Sequence, residues 1–70
     1  MSTLLVDIGN TRIKWARFAR GRLGRQRAAA HAGWSARDFE RNVFARAAGI
    51  ERILVASVAG RRVDRRFAAA

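Results

Sequence analysis

Asp7, Gly9, Asn10, Thr11 and Lys14 crowd into one short stretch near the start of the chain, and their types suit a polyphosphate. Gly9 has no side chain to block close approach. The backbone N–H groups of Asn10 and Thr11 can donate to phosphate oxygens, and the Thr11 hydroxyl adds another donor. Lys14 supplies a flexible positive charge nearby. A carboxylate repels phosphate unless a cation stands between them, so Asp7 makes sense there through a hydrated magnesium ion. The same residues also suit a plain hairpin whose turn happens to be Gly-Asn, because short motifs carry a high false-positive rate.

The elements around this stretch must hold it in place. Leu4, Leu5, Val6 and Ile8 favour a strand, and an apolar run broken only by Asp7 suggests burial on both faces. Gly9 and Asn10 tolerate positive backbone angles, so the chain can reverse there into a second strand, Ile13 to Ala19. In that strand Ile13 and Trp15 share one face, and Lys14, Ala16 and Phe18 the other.

Asp7-Ile8-Gly9-Asn10-Thr11-Arg12-Ile13-Lys14, so close to the initiator Met, resembles the first phosphate loop of type III pantothenate kinases. These belong to the superfamily of acetate kinase, sugar kinases, Hsp70 and actin. The wider superfamily shares an Asp-x-Gly-Thr/Ser loop; Gly-Asn-Thr with a Lys three residues on is closer to the type III kinases. Ile53 to Gly60 is similar to the strand and turn after the family's first helix. The resemblance spans the chain but only the opening part of a family member. It implies an α/β fold, the N-terminal part of an actin-like, ribonuclease H-like ATPase domain: an antiparallel three-strand meander, a helix, a parallel strand and the start of a second helix. Residues 1–70 would be an incomplete N-terminal portion of a nucleotide-binding kinase domain.

Such kinases transfer the γ-phosphoryl group of ATP to the primary hydroxyl of pantothenate, the first step of coenzyme A biosynthesis. They use magnesium and a monovalent cation (K+ or NH4+), usually as homodimers. Carried over residue by residue, Asp7, Ile8, Gly9, Asn10, Thr11, Arg12, Ile13 and Lys14 would surround the ATP phosphates, with Asp7 on magnesium, directly or through water. No catalytic residue is carried over. Asp64-Arg65 lacks the Gly of the family's Gly-x-Asp-Arg pattern, since Arg62 stands in its place, and it comes too early. The general base, the pantothenate-binding segment and the monovalent-cation site are expected beyond residue 70, so activity of the chain alone is not expected.

Length and charge bound these readings. A chain of 70 residues without cysteine buries only ~60% of its unfolded surface and has no disulfide to staple it. No stretch approaches the ~20 apolar residues that cross a bilayer, and the N-terminus is no secretory signal, which reads as a soluble cytoplasmic protein. Fifteen Lys plus Arg against five acids give a formal charge of +10. That suggests an anionic partner, nucleic acid first. The arginines, however, are scattered from Arg12 to Arg66, and abundant Arg, Ala and Gly also mark a GC-rich genome. Specific nucleic-acid binding is not expected; weak attraction at low salt is. A small Arg-rich nucleic-acid module and a noncatalytic partner subunit of a kinase are the alternative readings.

Further along, Arg20 to Gly24 reads as a hairpin loop and Arg25 to Ala32 as a third strand. Ser35 is a good N-cap with Asp38 at the capping-box position, opening a helix from Ala36 to Ala48. Phe39, Val43, Phe44 and Ala47 form its apolar stripe, and Gly49 closes it. Arg52 to Val58 reads as a strand parallel to Leu4–Ile8, and Val63 and Phe67 begin a second helix. His31 reads as a surface or strand histidine, Trp15 and Trp34 as packing residues, and Ser57 as a close-packing or hydrogen-bonding group at a strand end. The arginines at 61, 62, 65 and 66 read as a solvated helix face.

Overall fold

A computed structural model describes residues 2–45 and 49–70. Strand β1 (Ser2–Ile8) runs antiparallel to β2 (Arg12–Ala19) and parallel to β5 (Ile50–Ser57). Two short strands, β3 (Arg22–Leu23) and β4 (Arg27–Ala30), both pair antiparallel with β2. The sheet order is β3-β2-β1-β5, with β4 also on β2. A mixed sheet, with a helical crossover between its two parallel strands and a second helix after them, is the opening of an actin-like α/β domain.

Burial along β1 alternates. Leu4, Val6 and Ile8 are buried, whereas Leu5 is half-exposed and Asp7 exposed. The expected burial on both faces therefore does not hold, because the helices cover one face of the sheet only. That face packs Leu4, Val6, Ile8 and Ile13 against Phe39, Val43 and Phe67. The other face leaves Phe18, Leu23 and Leu54 exposed.

The turn after β2 is tighter than the five-residue loop expected. Arg20 and Gly21 alone form it, at φ 53° and 73°, and Ala19 pairs with Arg22. Two consecutive positive φ values match the right-handed strand twist, the geometry of a type I′ hairpin. The third strand expected over Arg25–Ala32 is shorter, Arg27–Ala30, and Arg22–Leu23, inside the expected loop, pairs as a strand of its own; between them the Gly24 N–H donates to the Arg17 carbonyl at 2.7 Å. The fifth strand begins two residues earlier than the apolar run suggests.

Helix α1 (Ala36–Phe39) starts on the expected cap. The Asp38 N–H donates to Ser35 Oγ at 3.3 Å, and the Ser35 N–H donates to Asp38 Oδ2 at 2.9 Å. After Phe39 the helix widens into a π-helical segment, Glu40–Phe44, in place of a uniform α-helix. Asn42 Nδ2 donates to the Asp38 carbonyl at 2.8 Å, a side-chain bond inside the widened turn. The rest of the predicted helix, Arg46, Ala47 and Ala48, lies outside the described residues. Helix α2 (Arg61–Ala68) follows Gly60, whose φ is 95°. Phe39 joins the two helices: its ring meets Phe67 edge-on at 5.6 Å and Trp34 at 5.2 Å.

Candidate functional site

The candidate loop, Gly9 to Thr11, joins β1 to β2. It is closed by the Gly9 N–H donating to the Arg12 carbonyl at 2.8 Å. Beneath it the paired Ile8 and Ile13 are wholly buried, so their side chains belong to the core and only their backbone can border a ligand. Neither Gly9 nor Asn10 has a positive φ, contrary to the sequence expectation. Room is tight there instead: a Cβ at residue 9 would stand 3.3 Å from the Arg12 carbonyl oxygen, which would have to shift by a few tenths of an ångström.

Asp7 and Lys14 occupy directly opposite positions on β1 and β2, both exposed. By strand alternation they share the face away from the helices. With Gly9, Asn10, Thr11 and Arg12 they line an open hollow of about 200 Å³. The structure thus gathers six of the eight residues that the sequence singled out around one depression. Among the described residues no cluster of three metal-ligating side chains occurs. A single exposed carboxylate beside donor-rich backbone fits a magnesium ion that keeps its waters and shares phosphate oxygens, not one caged by protein alone.

Sequence reasoning missed what stands behind the loop. His31 is 4% exposed, the one buried polar residue among those described, and it stands just past the end of β4, so it is neither the surface nor the strand histidine expected. Its Nε2 lies 2.7 Å from the Gly9 carbonyl oxygen, and its backbone N–H donates to the Thr11 carbonyl at 3.1 Å. The His31 carbonyl accepts from the Trp34 N–H at 2.9 Å, and its ring lies 6.3 Å from that of Phe39. The one available signal is register: β4 pairs Ala30 with Arg12, so the next step places His31 beside Thr11.

The carboxyl ends of β1 and β5 meet next to this loop, where the Val58 N–H donates to the Ile8 carbonyl at 2.9 Å. Ligands of open α/β sheets bind beyond such strand ends. Ser57 bonds there as expected, donating from Oγ to Asp64 Oδ1 at 2.5 Å and accepting from the Ala59 N–H at 3.3 Å. Asp64 is therefore engaged in tying α2 to β5. Arg66 is not purely a solvated residue, since its Nη1 donates to the Trp34 carbonyl at 3.3 Å.

Arginines scattered in sequence do converge at one place. Arg17, Arg25, Arg27 and Arg41 line a second hollow of about 450 Å³ with Trp15 and Asn42, between the helical segment and the sheet. It shares no residue with the loop hollow.

No helix is long and apolar enough to cross a membrane among the described residues. A search of curated proteins finds no match to the chain. A family model described as type III pantothenate kinase matches residues 3–70, covering the loop, both helices and all five strands apart from Ser2. With nearly its whole length matched, the chain belongs to the type III pantothenate kinase family.

Proposed function

We propose that this chain supplies the first phosphate-binding loop of an ATP-dependent pantothenate kinase, which transfers the γ-phosphoryl group of ATP to the primary hydroxyl of pantothenate at the first step of coenzyme A biosynthesis. The observation that best supports the reading is the hollow over Gly9–Thr11, with Asp7 and Lys14 paired beside it. The N–H groups of Asn10 and Thr11 and the Thr11 hydroxyl would hold phosphate oxygens, with Lys14 and Arg12 adding positive charge. Asp7 would hold magnesium through its waters. That ion, when bound, offsets charge on the phosphates. Phosphoryl transfer depends on positioning and charge stabilisation, and a loop of this kind supplies both.

No residue of this chain is proposed as the general base. The base, the pantothenate contacts and the monovalent-cation site are assigned to parts of the enzyme beyond these residues. A cytosolic homodimer follows from the family reading alone. The test is calorimetric titration of the chain with MgATP, beside an Asp7→Ala, Lys14→Ala double variant, and an assay of ATP-dependent pantothenate phosphorylation. Magnesium-dependent binding that the double variant loses, without turnover, is expected. Binding that survives both replacements and falls steeply with salt would instead identify a general polyanion surface built from the arginines.

A further inference from the structure

We infer that His31 is the positioning residue of the loop, fixing the Gly9–Asn10 peptide so that the Asn10 N–H faces the phosphate hollow. The inference rests on reading Gly9–Thr11 as a phosphate site. A carbonyl oxygen can only accept, so the bond from His31 to Gly9 requires the proton on Nε2. In a planar trans peptide the C=O and the following N–H point in opposite directions. Drawing the Gly9 oxygen toward buried His31 therefore aims the Asn10 N–H away from it. The His31 backbone grips the Thr11 carbonyl as well, so the Asn10–Thr11 peptide lies between two peptides, Gly9–Asn10 and Thr11–Arg12, that one residue holds.

The device has work to do because Gly9 has no Cβ to restrain its own peptide. A flipped Gly9–Asn10 peptide would turn a carbonyl oxygen toward an anion and withdraw a donor. His31 is in turn fixed from behind, by the Trp34 N–H on its carbonyl and by Phe39 beside its ring. Trp34 packs edge-on against the same Phe39 ring at 5.2 Å. A line of contacts thus runs from the cap of α1 to the loop, linking residues 22 positions apart in sequence.

The test compares wild type with His31→Leu, which keeps apolar bulk but has no donor, and His31→Gln, whose amide can place a donor near the position of Nε2. Amide hydrogen exchange is followed at Gly9, whose N–H closes the turn on the Arg12 carbonyl and so reports release of the loop that His31 holds, with Phe39 and Val58 as reporters of the remaining fold, and MgATP affinity is measured on each protein. In His31→Leu, Gly9 exchange is expected to quicken about tenfold and MgATP affinity to fall about tenfold, the size of one net hydrogen bond, while Phe39 and Val58 stay protected. His31→Gln should recover most of both. Unchanged Gly9 exchange in His31→Leu overturns the inference, and so does equal loss of protection at all three amides without rescue by His31→Gln. Should His31→Leu not fold, a long-range proton–nitrogen spectrum of wild type decides: Nε2 protonated supports the inference, Nε2 bare overturns it. Failure of wild type to bind MgATP would sink the phosphate reading, whereas the exchange comparison would still decide what His31 does to the loop.

Discussion

Replacing Phe39 should show how much of this small fold hangs on one ring. Phe39 is fully buried, meets Trp34 and Phe67 edge-on at 5.2 and 5.6 Å, and lies 6.3 Å from His31. Truncating a buried Phe to Ala removes its transfer free energy and leaves a cavity, about 3–5 kcal/mol together. A chain of 70 residues has a total stability of about 3.5–10 kcal/mol at ~0.05–0.15 kcal/mol per residue. Phe39→Ala therefore removes more than a quarter of the stability at the least, and most or all of it if the chain sits at the lower bound. Phe39→Leu keeps most of the volume and loses the two edge-on contacts, each worth about 0.5–1.5 kcal/mol, for a loss of about 1–3 kcal/mol. Urea unfolding followed by tryptophan emission reads the difference, because Trp34 touches the ring. With a slope near 1 kcal/mol per molar, Phe39→Leu should lower the midpoint by about 1–3 M and Phe39→Ala by about 3–5 M, which leaves little folded protein where the chain sits at the lower bound. A midpoint for Phe39→Ala within about 0.5 M of wild type would refute the packing argument.

Three other substitutions test separate steps. Asp38 is held below its ordinary carboxyl value of 3.8, first by the Ser35 N–H, then by the Ser35 hydroxyl, with Arg41 and Arg37 adding to it. Because the folded value lies below the unfolded one, the cap's contribution is whole above about pH 4 and fades as pH falls through the lowered value. Helical circular dichroism across that range should therefore fall more steeply for wild type than for Asp38→Asn, and superimposable curves would count against the cap. Gly9→Ala puts a Cβ 3.3 Å from the Arg12 oxygen and narrows the approach to the loop, so MgATP affinity should drop severalfold, read by calorimetry, with stability changed by less than about 1 kcal/mol. Arg20 sits at φ 53°, where glycine is unstrained, so Arg20→Gly should raise the urea stability by about 0.5–1 kcal/mol.

Much of the fold was legible because local signals agreed. The Leu4–Ile8 run, the Ser35 and Asp38 cap, the Arg52–Val58 run and the Val63 and Phe67 pair each point to one element, and each element is present. The misreadings have a common cause, which is that partners are not visible in a single stretch. An apolar run such as Leu4–Ile8 signals a strand but not how many faces are covered. The second face of this sheet carries no helix, so Leu5 and Leu54 stay partly or largely exposed. Arg20 gives no sign of a positive φ, since arginine is not a turn residue; the twist of the flanking strands imposes that geometry. The widening after Phe39 is equally silent, because Phe39 and Val43 keep the four-residue spacing of an ordinary helix while the backbone changes.

The candidate site divides along the same line. Its exposed half was legible, because Asp7, Asn10, Thr11 and Lys14 are polar residues interrupting or ending apolar strands, and such residues point to ligands or solvent. Its supporting half was not, because the chemistry of His31 depends on a partner far away in sequence. Taken alone, a histidine after three alanines has no acid, nucleophile or second ligand beside it. Only the pairing of β4 with β2 brings it to Thr11, and only its ring then reaches Gly9. Arg27–Ala30, a weak strand by propensity, nonetheless pairs with β2 in the register that carries His31 under the loop. A one-residue slip of that register would turn the His31 side chain to the opposite face of the sheet and leave the Gly9 carbonyl without its donor. The orientation of a loop at one end of β1 is therefore set by strand pairing on the far side of β2, a dependence that inspection of the loop motif alone does not show.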